Sequence, residues 1–182
     1  MAVRPQKLTY VDYAAFPDDG LRREIIDGEV FVTPAANTRH QNIVGRIFVA
    51  MATHLSTRGG GQVFVAPYDV VLSDDNVVQP DIVFVETSRL NVITDANIRG
   101  IPTLVVEVVS DPRHDRVRKR DLYGSAGVPV YWIVDPDADR VEVYRLESTG
   151  TYGKPEILEP GDTMALDALP GLAIDIAVLL RR

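Results

Sequence analysis

The stretch Pro102–Asp111, "PTLVVEVVSD", decides the fold, because it reads as a buried strand that contains a single internal charge. The run from Leu104 to Val109 is apolar except for Glu107, which is typical of a central strand covered on both faces. Charged side chains are almost never fully buried unless they have a partner. Glu107 therefore requires an ion-pair partner or a bound cation close to this strand.

The segments around this strand predict a mixed α/β fold with a central sheet flanked by helices. A hairpin is predicted for residues 23–34 around the turn dipeptide Asp27-Gly28, and a second hairpin lies within residues 130–146. A helix begins at Thr38, carries apolar residues at helical spacing and ends at Gly59–Gly61. We expect single strands at residues 62–72 and 77–85, a short helix at 113–127, and short strands and turns after residue 150.

The composition is that of one globular domain. The chain has 182 residues and 46% hydrophobic residues, enough for a sizeable core. It has no cysteine, which excludes disulfides and cysteine-ligated zinc or iron–sulfur sites. The first twenty residues lack the apolar region of a signal peptide, and no apolar run approaches the ~20 residues of a membrane span. We therefore expect a soluble, cytoplasmic protein with no membrane partner.

The net charge of −7 bears on which partners the chain can bind. Proteins that bind nucleic acid without sequence preference usually present a basic surface. Any contact with DNA or RNA must therefore be local, or be helped by a bound metal ion.

Two acids mark a candidate metal site. Asp81 follows Pro80 at the start of one predicted strand, and Glu107 lies 26 positions later in the next strong strand. If the strands are neighbours, both carboxylates lie at one edge of the sheet, where they repel each other unless a cation or shared proton lies between them. Mg²⁺ binds one or two carboxylates, waters and phosphate oxygens. Two other interpretations stay open: Asp81 bonds a backbone amide or caps a turn, and Glu107 forms a structural ion pair with Lys119 or Arg120.

Lys119 is the candidate cation of this site. It shares a helical face with Leu122 and Tyr123, which should face the sheet, and Asp115 lies one turn earlier on that face. An inward lysine beside carboxylates can position or deprotonate a water, or stabilise charge on a phosphate. Alternatively, it belongs to a solvated basic run. The arginines of that run either contact phosphates or balance acids elsewhere, and they are Arg113, Arg116, Arg118 and Arg120.

Three segments carry a resemblance to a known family: "VVQPDIVFV", "PTLVVEVVSD" and the segment with Lys119, "RKRDLYGSAGVPVYWIVDP". Together they resemble the PD-(D/E)XK nuclease superfamily, and more narrowly the Uma-type restriction-endonuclease family. The resemblance starts at "RREIIDGEVFVTP" and runs to "VEVYRL". It implies one restriction-endonuclease-like α/β domain over residues 1–182, with its core at about residues 20–146.

The resemblance also implies roles for individual residues. Pro80-Asp81 matches the PD element and Glu107 the second acid. The usual lysine position, two residues after that acid, holds Val109 here, and Lys119 on the next helix matches the Uma-type position instead. Asp81, Glu107 and the Val108 carbonyl would bind Mg²⁺ or Mn²⁺, and Lys119 would orient the attacking water. Glu24 and His40 match a glutamate before the first hairpin turn and a histidine opening the long helix in the family, and both are supporting positions. Asp115 is a third supporting position because of its place one turn before Lys119, not because of the resemblance.

The implied activity is metal-dependent hydrolysis of phosphodiester bonds in DNA, by a homodimer that can cut two strands. Two alternatives stay open, namely a nuclease-like scaffold without catalysis that binds protein or nucleic acid, and a metal-dependent hydrolase of small phosphate esters. For His40, a packing or capping role is the alternative, and for Glu24 a cross-strand ion pair with an arginine.

Overall fold

A six-stranded mixed sheet forms the centre of the computed structural model, which describes residues 7–33 and 35–182. The strands are β1 (Arg22–Ile26), β2 (Glu29–Thr33), β3 (Gly61–Val65), β4 (Val70–Ser73), β5 (Asn76–Val78), β6 (Ile82–Glu86), β7 (Ile98–Arg99), β8 (Leu104–Val108), β9 (Val130–Asp135), β10 (Arg140–Arg145), β11 (Glu156–Leu158), β12 (Thr163–Met164) and β13 (Ile174–Asp175). The helices are α1 (Tyr10–Ala14), α2 (Thr38–Arg58), α3 (Arg120–Ala126) and α4 (Ile176–Leu180), with a 3₁₀ turn at Thr87–Val92 and a π-helical turn at His114–Lys119.

The large sheet has the strand order β11-β10-β9-β8-β6-β3. The pair β8–β9 is parallel, and the other pairs of this sheet are antiparallel. Every residue of β8 is buried, which confirms the central strand expected from the run around Glu107. A second sheet, β2-β1-β5-β4-β7, contains the first hairpin, and β12 pairs with β13 in a small third sheet.

The two faces of β8 meet different layers. Leu104, Val106 and Val108 pack in the core that α2 and α4 cover, whereas Val105 packs in the core under α3. Because side chains alternate along a strand, Glu107 projects to the same face as Val105. The strand β8 is apolar on both faces because each face packs in a separate core. Its one charged residue, Glu107, lies on the face covered by α3.

The helix α2 follows its predicted bounds. Ile43, Ile47 and Met51 are fully buried against the large sheet, and the Asn37 side chain accepts the His40 N–H at its start. Gly59, at a φ of 68°, ends it in the left-handed region that glycine adopts without strain.

Two predicted strands are each two strands in the structure. Residues 62–72 divide into β3 in the large sheet and β4 in the second sheet, and residues 77–85 divide into β5 and β6 in the same way. Pro67 and Pro80 lie at the divisions, where a residue without an N–H cannot continue the ladder. The tail after residue 150 also contains α4, which was not predicted because its single short turn carries too little periodicity. No helix in the described ranges has the length and hydropathy that crossing a bilayer requires.

The predicted helix at residues 113–127 begins as a π-helical turn and continues as α3. A π-helical turn bonds residue i to residue i+5, so it advances more residues per turn than an α-helix. His114, Asp115 and Lys119 consequently lie on one side of this segment, beside the large sheet. Gly127, at a φ of 88°, ends α3 as predicted.

Candidate active site

The structure brings Asp81, Glu107 and Lys119 to one cavity of about 110 Å³. The strands β6 and β8 are antiparallel neighbours with Ile82 opposite Val106, so the register places Asp81 opposite Glu107. Each of the three residues is at least 95% buried. Two distant acids and one helix-borne amine therefore line the same small space.

Asp81 is held in a fixed orientation. Its Oδ2 accepts the Val108 N–H at 2.8 Å and lies 3.0 Å from His40 Nε2. Its Oδ1 lies 3.7 Å from Arg22 Nη1 and has no hydrogen-bond partner among the described residues. Asp81 thus bonds a backbone amide, as one open interpretation held, and also keeps one oxygen for a ligand.

Glu107 is paired with Lys119. Its Oε1 accepts hydrogen bonds from Lys119 Nζ at 2.8 Å and from the Tyr123 hydroxyl at 2.9 Å. Its Oε2 has no hydrogen-bond partner in the described part of the chain, so each of the two acids keeps one oxygen available. The ion pair with Lys119 that was one interpretation of Glu107 is present, and it does not use the whole carboxylate.

Lys119 bridges two acids. Its Nζ lies 2.9 Å from Glu24 Oε1 and 2.8 Å from Glu107 Oε1. Burial opposes the charge of Lys119, but attraction to Glu107, Glu24 and Asp115 outweighs it and raises the pKa of the ammonium. An ammonium has three N–H donors, so one donor remains for a ligand. With its raised pKa, Lys119 acts as a donor and a positive charge rather than as a base.

Glu24 anchors this lysine from the first hairpin. Its Oε1 also accepts the Gln79 N–H at 2.9 Å, and its Oε2 lies 3.4 Å from His114 Nε2. Burial raises its pKa, but the Lys119 charge and the bonds from His114 and Gln79 dominate and lower the pKa to about 2. Glu24 therefore remains an anion, paired with a lysine and a histidine rather than with a cross-strand arginine.

Glu107 shows the opposite shift. Burial raises its pKa, Lys119 lowers it, and repulsion from Asp81, Glu24 and Asp115 raises it further, to about 8. Glu107, Glu24 and Asp115 surround Lys119, Asp81 is a fourth acid beside Glu107, and Arg22 is the second cation nearby. The site thus carries more carboxylate than its own cations can balance, which favours a bound cation.

Asp115 supports the loop between β8 and the helix. Its Oδ2 accepts the N–H groups of Ser110 at 3.2 Å and Asp111 at 3.4 Å. Burial raises the pKa of Asp115 above its ordinary value, although the charge of Lys119 and these hydrogen bonds act in the opposite direction. Its position next to the cavity is set by this loop.

The donor atoms of the site suit a hard divalent ion. Val108 donates its N–H to Asp81, so the Val108 backbone, with its carbonyl, lies next to this carboxylate. Asp81, Glu107 and this carbonyl would supply only oxygen ligands, as Mg²⁺ and Mn²⁺ prefer. Within residues 7–33 and 35–182, no three His, Asp or Glu side chains are grouped as metal ligands. The residues therefore fit an ion that keeps several waters.

The four arginines of the basic run do not share one surface. Arg116 bonds Asp135 and Glu142, and Arg120 bonds its neighbour Asp121. Arg118 lies over the Phe31 ring and 3.4 Å from Glu29, and Arg113 is exposed.

Sequence reasoning missed Arg22, His114 and the hydrogen bond from Tyr123. Arg22 lies two residues before Glu24 on the same face of β1, so the strand period carries a signal for it. Tyr123 was expected on the face of Lys119, at an offset of four. His114 had no signal, because an α-helical period does not place it beside Lys119.

Comparisons with known proteins agree with this architecture. A solved structure, described as a putative nuclease belonging to DUF820 from Anabaena variabilis, matches with a TM-score of 0.78. It is 20% identical and the match covers 95% of this chain and 97% of that chain, which confirms the predicted restriction-endonuclease-like fold. No curated protein matches the chain. The Uma2 family model, described as "Putative restriction endonuclease", matches residues 10–177. Because this match spans nearly the whole sequence, the chain belongs to the Uma2 family.

Proposed function

We propose that the chain is a metal-dependent nuclease that hydrolyses phosphodiester bonds in DNA. The observation that carries the proposal is the meeting of buried Asp81, Glu107 and Lys119 at one cavity with an excess of carboxylate. The Uma2 family is described as "Putative restriction endonuclease" and the Anabaena protein as "a putative nuclease", and both descriptions support the same class of reaction.

Asp81, Glu107 and the Val108 carbonyl are the proposed holders of Mg²⁺ or Mn²⁺. When bound, such an ion supplies a Lewis acid and lowers the pKa of its water. His40 and the Val108 N–H fix the orientation of the Asp81 carboxylate. A preset carboxylate loses less conformational entropy when it takes up a ligand.

Lys119 is the proposed donor to the attacking water or to a phosphate oxygen. Glu24 and Glu107 hold its Nζ in place and leave one N–H for the substrate. Because its pKa is raised, the residue supplies positive charge where negative charge develops. Asp115 keeps the connecting loop in shape through its bonds to Ser110 and Asp111.

Plasmid cleavage in Mg²⁺ or Mn²⁺ tests the proposal. Wild-type protein should convert supercoiled plasmid to nicked or linear forms and stop in EDTA, and Asp81→Asn should slow cleavage by at least about 100-fold. Asp69→Asn is the matched control, because Asp69 bonds Tyr13 and Gln79 and does not line the cavity. It should cut at the wild-type rate.

The alternatives give different outcomes in this assay. Hydrolysis of a model nucleotide ester without plasmid cleavage would favour a small-ester hydrolase. Absence of both activities, with no Mn²⁺ binding at millimolar concentration, would favour a scaffold without catalysis. We also propose that two copies pair so that both strands can be cut, which sedimentation would show as twice the mass of 20.1 kDa.

A further inference from the structure

A surface groove of about 400 Å³ adjoins the active-site cavity. It is lined by Asp111, Arg113, His114, Val117 and Arg118. Asp111 and His114 also line the cavity that holds Asp81 and Glu107. A chain-like substrate that extends from the cavity past His114 would therefore meet the two arginines next.

Arg118 is arranged to receive an anion. Its guanidinium lies 4.3 Å from the centre of the Phe31 ring, and Phe31 lines the active-site cavity. The same ring lies 5.2 Å from the His114 ring. Stacking on an aromatic face orients a guanidinium while leaving N–H groups at its edge for a phosphate.

The acids near this groove leave the arginines accessible. Asp111 Oδ1 accepts the backbone N–H groups of Arg113 and His114, and so is occupied by its own loop. Glu29 lies 3.4 Å from Arg118, but its side chain is 73% exposed. Exposed ion pairs contribute little to stability, so a phosphate can replace Glu29 at low cost.

The remaining two arginines of the run are engaged elsewhere. Arg116 bonds the buried acids Asp135 and Glu142. Arg120 bonds Asp121 and lines a separate cavity next to Tyr152. The helical segment therefore presents Arg113 and Arg118 to the groove, and uses the other two within the fold.

We propose that Arg113 and Arg118 bind backbone phosphates of a DNA strand beside the phosphodiester that reaches Asp81 and Glu107, and that Phe31 positions Arg118. The inference rests on the proposed function and narrows its substrate to a polymer, because a small phosphate ester held in the cavity does not extend into the groove. A local basic groove beside an acidic, cation-binding cavity also accounts for a DNA contact on a chain with a net charge of −7.

Anisotropy with a labelled DNA duplex, in Ca²⁺ and at several salt concentrations, tests the assignment. Arg118→Ala should bind roughly tenfold more weakly, and the slope of log affinity against log salt should fall by about 1. Arg120→Ala is the matched control: its side chain is 37% exposed against 43% for Arg118, and it removes the same charge from the same helical segment. It should bind like wild type. Equal losses in both variants, or none in Arg118→Ala, would overturn the assignment.

Two further variants test the neighbours of Arg118. Glu29→Gln should tighten DNA binding by roughly two- to fivefold, because it removes the acid that competes with the phosphate. Phe31→Leu should weaken DNA binding, whereas Phe31→Trp, which keeps an aromatic face for Arg118, should bind DNA like wild type. Weaker binding in Glu29→Gln, or wild-type binding in Phe31→Leu, would contradict the roles given to these residues.

The outcome separates this inference from the proposed function. If wild-type protein does not cut plasmid, the nuclease proposal fails whatever the arginines do. If it does cut, Arg118→Ala should raise KM for plasmid with little change in kcat. An unchanged KM would then contradict the phosphate-binding role of the groove and leave the nuclease proposal intact. Tighter binding of a single-stranded RNA than of DNA would contradict the assignment of DNA as the bound polymer.

Discussion

Two charged clusters lie along one helical segment, and they differ in how their charges balance. The arginine cluster consists of Arg116, Arg140, Asp135 and Glu142. The lysine cluster consists of Lys119, Glu24, Asp81, Glu107 and Asp115. Arg116 and Lys119 are three residues apart, yet their side chains contact different acids. Arg116 contacts Asp135 and Glu142, whereas Lys119 contacts Glu24 and Glu107.

The arginine cluster has two acids and two arginines. Glu142 Oε1 accepts from Arg116 and Arg140 at 2.9 Å each, and Asp135 also accepts the N–H groups of Asp137 and Ala138. Burial raises the pKa of Asp135, but the Ala138 N–H and Arg116 outweigh it and lower the pKa. Asp135 thus has enough donors to remain ionised, and Glu142 is bonded to both arginines.

The lysine cluster has four acids against two cations, Lys119 and Arg22, and burial with repulsion raises the pKa of Glu107 to about 8. Both clusters contain buried acids, so burial alone does not distinguish them. The comparison teaches that an unbalanced charge, together with unused carboxylate oxygens, marks the candidate metal site, whereas the balanced cluster joins the helix to β9 and β10.

Removing the lysine should have the largest effect. Lys119→Met should slow plasmid cleavage by about 100–1000-fold, or about 3–4 kcal/mol, because the donor to the developing charge is lost. Mn²⁺ affinity should survive, since both carboxylates remain. Single-turnover cleavage and calorimetry measure the two quantities, and a simultaneous loss of both would make Lys119 a purely structural partner.

Removing the arginine should act on stability instead. Arg116→Met leaves buried Asp135 and Glu142 with fewer donors, so the free energy of unfolding should fall by about 2–4 kcal/mol. Mn²⁺ affinity should stay at the wild-type value. Urea denaturation and metal titration check this, and unchanged stability with weakened Mn²⁺ binding would reverse the distinction between the clusters.

Replacing a glutamate by glutamine should change the free energy of unfolding in opposite directions in the two clusters. In metal-free protein at pH 9, Glu107→Gln should raise the free energy of unfolding by at least about 1 kcal/mol, because burial and three neighbouring acids disfavour the Glu107 charge by more than Lys119 favours it. Glu142→Gln should lower it by about 1–3 kcal/mol, because its charge-assisted bonds are lost. Urea denaturation of both variants decides the matter, and equal losses would mean that Glu107 is an ordinary ion-pair partner.

The pH profile of wild-type stability follows from the same shift. The pKa of Glu107 rises from 4.5 to about 8, so between these values the folded chain keeps a proton that the unfolded chain has lost. Stability attributable to this group therefore falls as pH rises through that interval, and Glu107→Gln should flatten the decline. The lowered pKa of Glu24 acts below pH 4.5, where its contribution is lost as pH falls towards 2.

Sequence alone was sufficient for the features that follow from local periodicity. Glu107 in an apolar run and Asp81 after a proline predicted two strands, which the structure pairs as neighbours, and the offsets of Leu122 and Tyr123 predicted the inward face of Lys119. The division into two sheets was missed because Pro67 and Pro80 stand inside runs that look continuous. The place of His114 depends on a π-helical turn, and the separation of Arg116 from Arg118 depends on which strands pack against the segment. These are tertiary properties that one-dimensional spacing does not encode.

A crystal structure of the protein soaked in Mn²⁺, with anomalous data, is the most direct test of whether Asp81 and Glu107 share one metal ion. We expect one strong peak in contact with carboxylate oxygens of both Asp81 and Glu107, next to the Val108 carbonyl, and its disappearance in Asp81→Asn. No peak between these residues at millimolar Mn²⁺, or a peak bound only at other positions, would contradict it.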